Sequence, residues 1–369
     1  MDTMREVFTA SSALESYSYE RLEILGDAFL KLASSADLFH RYPNANEGDL
    51  SKMRSSVVSN QNLFNVAKRF DFGGLMPLEI QRKFSEKRLA DFVEAFIGAS
   101  FVNGGVESSI NLLHTFGLVN ETALTILGTK DLKSDWSLDE SATFAPTITF
   151  SNDGFNLEKL ESRIGYKFRN EKLASQAMTH QSYSLNLPSY EALEFLGDAV
   201  LDWIVMQYLF HTYSTLSPDK LTDLRQAAVN NESFCRLAVS IGLQEHLRHI
   251  HGSCRCDTEG PKVLGDLFEA LVGAFMLIRV TACDSVASDE ALLSGFWLRF
   301  VNPLVVSKSP VRQMHEHLQS IGFETDEVWY QFSEIDSVFC CKIFLLDTNI
   351  AEDTGNSRQL SKREHVFEL

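Results

Sequence analysis

Residues 19–31 read YERLEILGDAFLK, with apolar side chains at Leu22, Ile24, Leu25, Ala28, Phe29 and next at Leu32. That density predicts a buried helix, continuing through LASSADLFHRYP to a stop at Pro43, with Asn44 and Asn46 as turn residues. Its acids are not scattered. Glu20, Glu23 and Asp27 fall at i, i+3 and i+7, which lines three carboxylates along one face of a core helix. Buried charge must be paired or must hold a metal. Residues 190–202, YEALEFLGDAVLD, repeat the device: Glu191, Glu194 and Asp198 keep the spacing, and Gly197 stands where Gly26 stood.

The remaining pattern is helical and also doubled. A short helix (MREVF) precedes the first acidic stretch, and an amphipathic run at residues 50–70 follows it. Gly73, Gly74 and Pro77 mark a loop. Residues 87–101, KRLADFVEAFIGASF, predict a strongly apolar helix carrying Asp91 and Glu94 at i and i+3. The pattern weakens over residues 117–155, which read as a linker or insertion. It then restarts with helices at 157–166 and 170–180, the second acidic stretch, a Pro218 turn and an amphipathic run at 221–239. Residues 260–275 follow, with Asp266 and Glu269 at i and i+3.

The halves correspond at an offset of 171 residues (Glu23 to Glu194) and later 175 (Asp91 to Asp266). The difference fits an extra loop in the second half at HIHGSCRC. The helix at 157–166 has no counterpart ahead of Met1, so the first copy is read as N-terminally shortened. From residue 309 the character changes to α-β-β-α: a helix at 309–322, strand-like runs VWYQF and SVFCCKIFLL, and a last helix SKREHVFEL.

Composition constrains the reading in one respect and complicates it in another. With 369 residues, 44% of them apolar, and 27 Phe, a folded soluble protein of two or three domains is expected. No apolar run reaches membrane-spanning length, and the N-terminus lacks a signal-peptide layout. The six cysteines (235, 254, 256, 283, 340, 341) show no framework spacing, which places the chain in a reducing, intracellular compartment, cytoplasm and/or nucleus. A net charge of −17 argues against a nucleic-acid partner. Ten of the 50 acids, however, belong to the two acidic constellations, where bound cations would offset them. A local basic groove is expected if the chain holds RNA.

Glu23 and Asp27 with Asp91 and Glu94, and Glu194 and Asp198 with Asp266 and Glu269, are all-oxygen hard-ligand sets. They suit Mg²⁺ or Mn²⁺ and not zinc. A cation held this way lowers the pKa of water and clamps the attacking and leaving oxygens of a phosphodiester. Lys87 and Lys262 each lie four residues before the leading aspartate, one turn away. They could orient a water or phosphate, or be ion-paired with the acids. Arg54 and Arg225 occupy matching places, as a structural ion pair or an RNA contact. His249, His251, Cys254 and Cys256 offer zinc-capable side chains in poor geometry, so a polar loop is the simpler reading. Cys340 and Cys341 should point to opposite faces of a strand. The DDxxD cluster of helical prenyl synthases, another Mg²⁺-on-helix class, is absent.

ERLEILGDAFL and EALEFLGDAVL resemble the signature helix of the ribonuclease III family, and two copies in one chain resemble its Dicer-type members. The resemblance implies a mainly α fold. Two helical nuclease domains (1–118, N-terminally shortened, and 156–305) would pair as an intramolecular pseudo-dimer, joined by a linker at 119–155. A small α+β segment at 306–369 resembles a degenerate double-stranded-RNA-binding module, although it carries six Lys/Arg against 11 Asp/Glu. The eight carboxylates match the family's metal ligands and, with Lys87 and Lys262, its catalytic set. Glu20 and Glu191 match a supporting glutamate, and Ile24 and Phe195 the residue that plugs the partner domain. Asn60 and Asn231 match an RNA-side asparagine. The implied activity is Mg²⁺-dependent hydrolysis of double-stranded RNA (Mn²⁺ substituting), one strand per domain, leaving 5′-phosphates and two-nucleotide 3′ overhangs. The chain is expected to be a monomer, with RNA-binding proteins as possible partners and no membrane. The alternative is an inactive RNA-binding scaffold, and such copies should lose carboxylates that this chain keeps.

Overall fold

Two crossed helices build the first half: α2 (Glu20–Arg41) lies against α5 (Glu86–Phe116), with α1 (Thr3–Val7), α3 (Glu47–Val57) and α4 (Asn60–Arg69) around them. The computed structural model describes residues 3–9, 18–43, 45–75, 85–120, 123, 127, 156–168, 170–183, 187–249, 260–281, 327–335, 338–346 and 348–355. The second half repeats the plan. There α8 (Glu191–Thr212) lies against α11 (Gly260–Thr281), surrounded by α6 (Leu157–Ile164), α7 (Glu171–Ala177), α9 (Pro218–Ala228) and α10 (Asn231–Ser240). Thr9 and Thr179 each accept a backbone hydrogen bond from the tyrosine that opens the following acidic helix, Tyr19 or Tyr190. Helix α1 therefore stands where α7 stands, and α6 has no counterpart among the described residues of the first half.

Capping residues divide what periodicity ran together. The amphipathic runs at 50–70 and 221–239 each read as one stretch, but each is two helices. Ser59 caps α4 by accepting from the Asn62 backbone N–H, and Asn230 caps α10 by accepting from Ser233. Helix α5 outruns its expected end at Phe101. It bends at Gly105, whose φ of 67° and ψ of −161° leave the helical region, and stops at Gly117 in the left-handed conformation. By length and composition α5 could cross a membrane, which the run lengths did not suggest. Here its first half is packed inside the domain, with Ala90, Phe92, Val93, Ala95 and Ile97 buried.

Four glycines let the acidic helices touch. A Cβ on Gly26 would sit 1.8 Å from the Glu94 carbonyl oxygen, and one on Gly98 2.1 Å from that of Leu22. In the second half Gly197 faces the Glu269 carbonyl at 1.8 Å and Gly273 that of Leu193 at 2.2 Å. No side chain fits at these crossings. Backbone contact between α2 and α5, and between α8 and α11, is what brings their carboxylates within reach of one another.

The halves join through α2 and α8, and one hydrophobic core runs through both. Trp203 of α8 lies edge-on to Phe29 and Phe101 of the first half, at centroid distances of 5.2 and 4.6 Å. Phe195 is buried against Leu38 and Leu50, while Ile24 is half-buried at the edge of the main core. Arg21 of α2 donates to the carbonyls of Phe210 and Leu216 and stacks on the Phe210 ring.

Residues Asn302–Leu369 form a separate unit. Its described part is an antiparallel three-stranded meander, β1 (Val328–Ile335), β2 (Val338–Leu345) and β3 (Thr348–Gly355), in that order. Two strands were expected. The third, TNIAEDTG, lacks alternating hydrophobicity, and backbone pairing with β2 holds it. Cys341 and Ile343 are buried, Cys340 is half-buried, and Trp329 stacks on its cross-strand partner Phe344 at 4.1 Å. The helices expected at 309–322 and 361–369, most of the 119–155 linker and the HIHGSCRC loop beyond His249 lie outside the described residues.

Candidate active site

Glu23 on α2 meets Asp91 and Glu94 on α5, and Glu194 on α8 meets Asp266 and Glu269 on α11. In each triad one carboxylate oxygen per residue lies within 4.8 Å of the other two. Asp91, Glu94, Asp266 and Glu269 are buried, and Glu23 and Glu194 are half-buried. Packing three acids this tightly disfavours their ionisation. Burial first, then the charges of Asp27 and Glu23, push Glu94 up to about 9. Burial, then Asp198 and Glu194, do the same to Glu269, again to about 9. Glu23 rises to about 7, by burial and then Asp91, and Glu194 to about 8, by burial and then Asp266. Burial raises Asp91 and takes Asp266 to about 6, against the nearby Lys87 and Lys262 charges.

These acidic clusters could bind a metal. Clustered oxygen donors whose charges oppose one another, with no sulfur or imidazole among them, fit a hard divalent cation and would be stabilised by one.

In each four-carboxylate set expected from sequence, three acids lie within 4.8 Å of one another and the fourth, Asp27 or Asp198, stands beside them. Asp27 stays close enough to raise Glu94, yet its Oδ2 accepts from Arg225 Nη1 of the second half at 3.0 Å. Asp198 accepts from Lys31 at 3.0 Å and from Arg54 at 3.2 Å, both in the first half. Each fourth carboxylate is thus held from across the seam. For Arg54 and Arg225 the ion-pair alternative describes what the structure contains.

Lys87 and Lys262 are exposed at the starts of α5 and α11, beside the acids. Glu20 and Glu191 precede the triads and accept from Ser18 (3.4 Å) and Ser189 (3.2 Å). Asn60 and Asn231 are the exposed first residues of α4 and α10. Asn231 lines a cavity of about 200 Å³ at the second triad, together with Lys262 and Asp198. Phe195 enters the first half between Leu38 and Leu50, with the Arg54 guanidinium over its ring at 4.6 Å.

Two participants were missed. Glu47 of the first half lines the second cavity and raises Glu194 and Asp266. Lys31 bridges Asp198 and Asp202. For Glu47 no local pattern signals a contact made across the pseudo-dimer. For Lys31 a signal exists: the 171-residue offset aligns it with Asp202, a charge reversal just after the shared glutamate and LGDA positions of the two helices.

The profile of the "Ribonuclease III domain" family matches residues 20–105 and 191–279. Endoribonuclease Dicer homolog 1 of Oryza sativa subsp. japonica is 28% identical over 97% of this chain and 23% of its own length. The chain spans about a quarter of the curated relatives it matches. The nuclease domain of ribonuclease III from Campylobacter jejuni is 35% identical, covering 96% of that chain and 40% of this one, with a TM-score of 0.33. Giardia Dicer, 17% identical, shares the fold at a TM-score of 0.54, over 77% of this chain and 55% of its own. The duplicated acidic helices are the segments the profile matches, and this chain belongs to the ribonuclease III family, carrying two of its domains in one polypeptide.

Proposed function

We propose that the chain is an endoribonuclease that hydrolyses both strands of double-stranded RNA, one strand at each domain's triad, leaving 5′-phosphates and two-nucleotide 3′ overhangs. The observation that carries this reading is the duplication: each domain keeps an intact triad on the same pair of helices. An inactive scaffold would have no need to preserve six mutually repelling carboxylates.

Glu23, Asp91 and Glu94, with Asp27, would hold a divalent cation in the first domain, and Glu194, Asp266 and Glu269, with Asp198, in the second. Mg²⁺ is the resident we propose, with Mn²⁺ as a substitute. When bound, the cation supplies the positive charge that polarises the phosphodiester and makes water a competent nucleophile at neutral pH. The protein's part is to pre-form the site. Glycine crossings fix the spacing of the acids, so no reorganisation is needed when the duplex arrives. Exposed Lys87 and Lys262 orient the phosphate, Glu20 and Glu191 support the sites, and Asn60 and Asn231 reach toward RNA. Opposite-domain arginines fix Asp27 and Asp198. The chain acts as a monomer inside the cell, its RNA placed locally against Lys87 and Lys262 despite the acidic total, and RNA-binding proteins are its natural partners.

The test is digestion of a blunt RNA duplex in MgCl₂, in MnCl₂ and in EDTA. Duplex products in either metal and none in EDTA are expected. Binding without cleavage in both metals would select the scaffold.

A further inference from the structure

We propose that six charges at the seam form a pairing code that commits each ribonuclease III domain to the other and rejects a second copy of itself. The offset of 171 aligns Asp27 with Asp198 and Arg54 with Arg225, like with like, but it aligns Lys31 with Asp202. All six side chains meet. Lys31 reaches Asp198 at 3.0 Å and Asp202 at 3.1 Å, and Arg54 reaches Asp198 at 3.2 Å. Arg225 holds Asp202 of its own domain through Nε and Nη2, both at 2.6 Å, and Asp27 across the seam at 3.0 Å.

Three cations against three carboxylates make the cluster neutral. A pair of two first domains would bring together two lysines, two arginines and two aspartates, an excess of two positive charges. A pair of two second domains would bring two arginines and four aspartates, an excess of two negative charges. The centre of the cluster is poorly solvated, with Asp202 only 4% exposed and Arg225 17%, while Asp27 at its edge is 43% exposed. Uncompensated charge at such a site is strongly disfavoured. The opposite pair at positions 31 and 202 is thus both an attraction for the right partner and a repulsion against the wrong one. This code does not depend on whether the chain cleaves RNA.

The pseudo-twofold relation supplies the test. In the full chain, Lys31→Asp gives the seam an excess of two negative charges, and Asp202→Lys an excess of two positive. The double exchange restores neutrality with the network reflected, residue 31 now facing Arg54 and residue 202 facing Asp27. Thermal melts report stability. The fluorescence of Trp203, with the other three tryptophans changed to Phe, reports the seam itself, because its ring packs against Phe29 and Phe101. Each single exchange is expected to lower Tm by about 6 °C or more and to shift Trp203 emission to the red. The double exchange is expected to recover at least half of the summed loss and the wild-type emission. A double exchange whose losses simply add, or single exchanges that leave both readouts unchanged, would overturn the proposal.

Discussion

Arg225 of the second domain donates to Asp27 of the first at 3.0 Å, so a carboxylate beside one triad is held by the domain that carries the other. The same guanidinium grips buried Asp202. Burial alone would raise the Asp202 pKa, but hydrogen bonds from Arg225 and the nearby Lys31 charge outweigh it and hold the group low. Arg225→Met leaves that carboxylate with Lys31 alone and should cost about 3 kcal/mol. Arg54→Met should cost about 1 kcal/mol, because its partner Asp198 is better solvated and keeps Lys31. Urea denaturation of both variants checks the order, and equal losses would contradict it.

The raised carboxylates set a pH dependence. Glu23, Glu194, Glu94 and Glu269 move from an ordinary value of 4.5 to between about 7 and about 9 in the folded, metal-free protein. The folded state then binds more protons than the unfolded one, so stability falls as pH rises from about 4.5 towards 9. A bound divalent cation removes that loss. Melts at about pH 6 and pH 8, in EDTA and in MgCl₂, should show a falling Tm only in EDTA, with Mg²⁺ stabilising more at the higher pH. Parallel pH profiles in the two solutions would count against a metal at the triads.

Gly26→Ala and Gly197→Ala place a methyl group where a carbonyl oxygen of the facing helix already lies. The crossing helices must separate, at a cost of about 3 kcal/mol or more. The triads should widen with them, so each variant should also lose divalent-cation affinity, measured by titration calorimetry. A Gly26→Ala protein with wild-type stability would mean that the crossing can relax freely.

Phe195→Ala empties the seat between Leu38 and Leu50 and strips the ring from beneath Arg54. A loss of about 3–4 kcal/mol is expected for deleting a buried phenyl ring. Ile24→Ala, at the matching position but only half-buried, should cost about 1–2 kcal/mol. Chemical denaturation of both variants reads the difference.

Both domains were visible in sequence because the burial of acids on apolar helices is a local pattern, and the duplication repeated it. Glu23, Asp91 and Glu94 needed only helical spacing to be chosen. The arginine that holds Asp27 was not visible, since Arg225 lies 198 residues away and reaches Asp27 only once the halves pair. Glu47 was missed for the same reason. Ser59 and Asn230 split two expected helices because a cap is one residue against a long amphipathic signal. Strand β3 was hidden by its polar composition, and Gly105 by lying beyond the apolar run that marked its helix.

Two sites that each act on one strand would cut a duplex independently of one another. A blunt RNA duplex labelled separately on each strand, digested with Mg²⁺ by wild type, Glu94→Gln and Glu269→Gln, tests this most directly. Both strands should be cut by wild type, while each variant should spare a different strand and still cut the other. If either variant slows both strands equally, or both variants spare the same strand, the two-site account is contradicted.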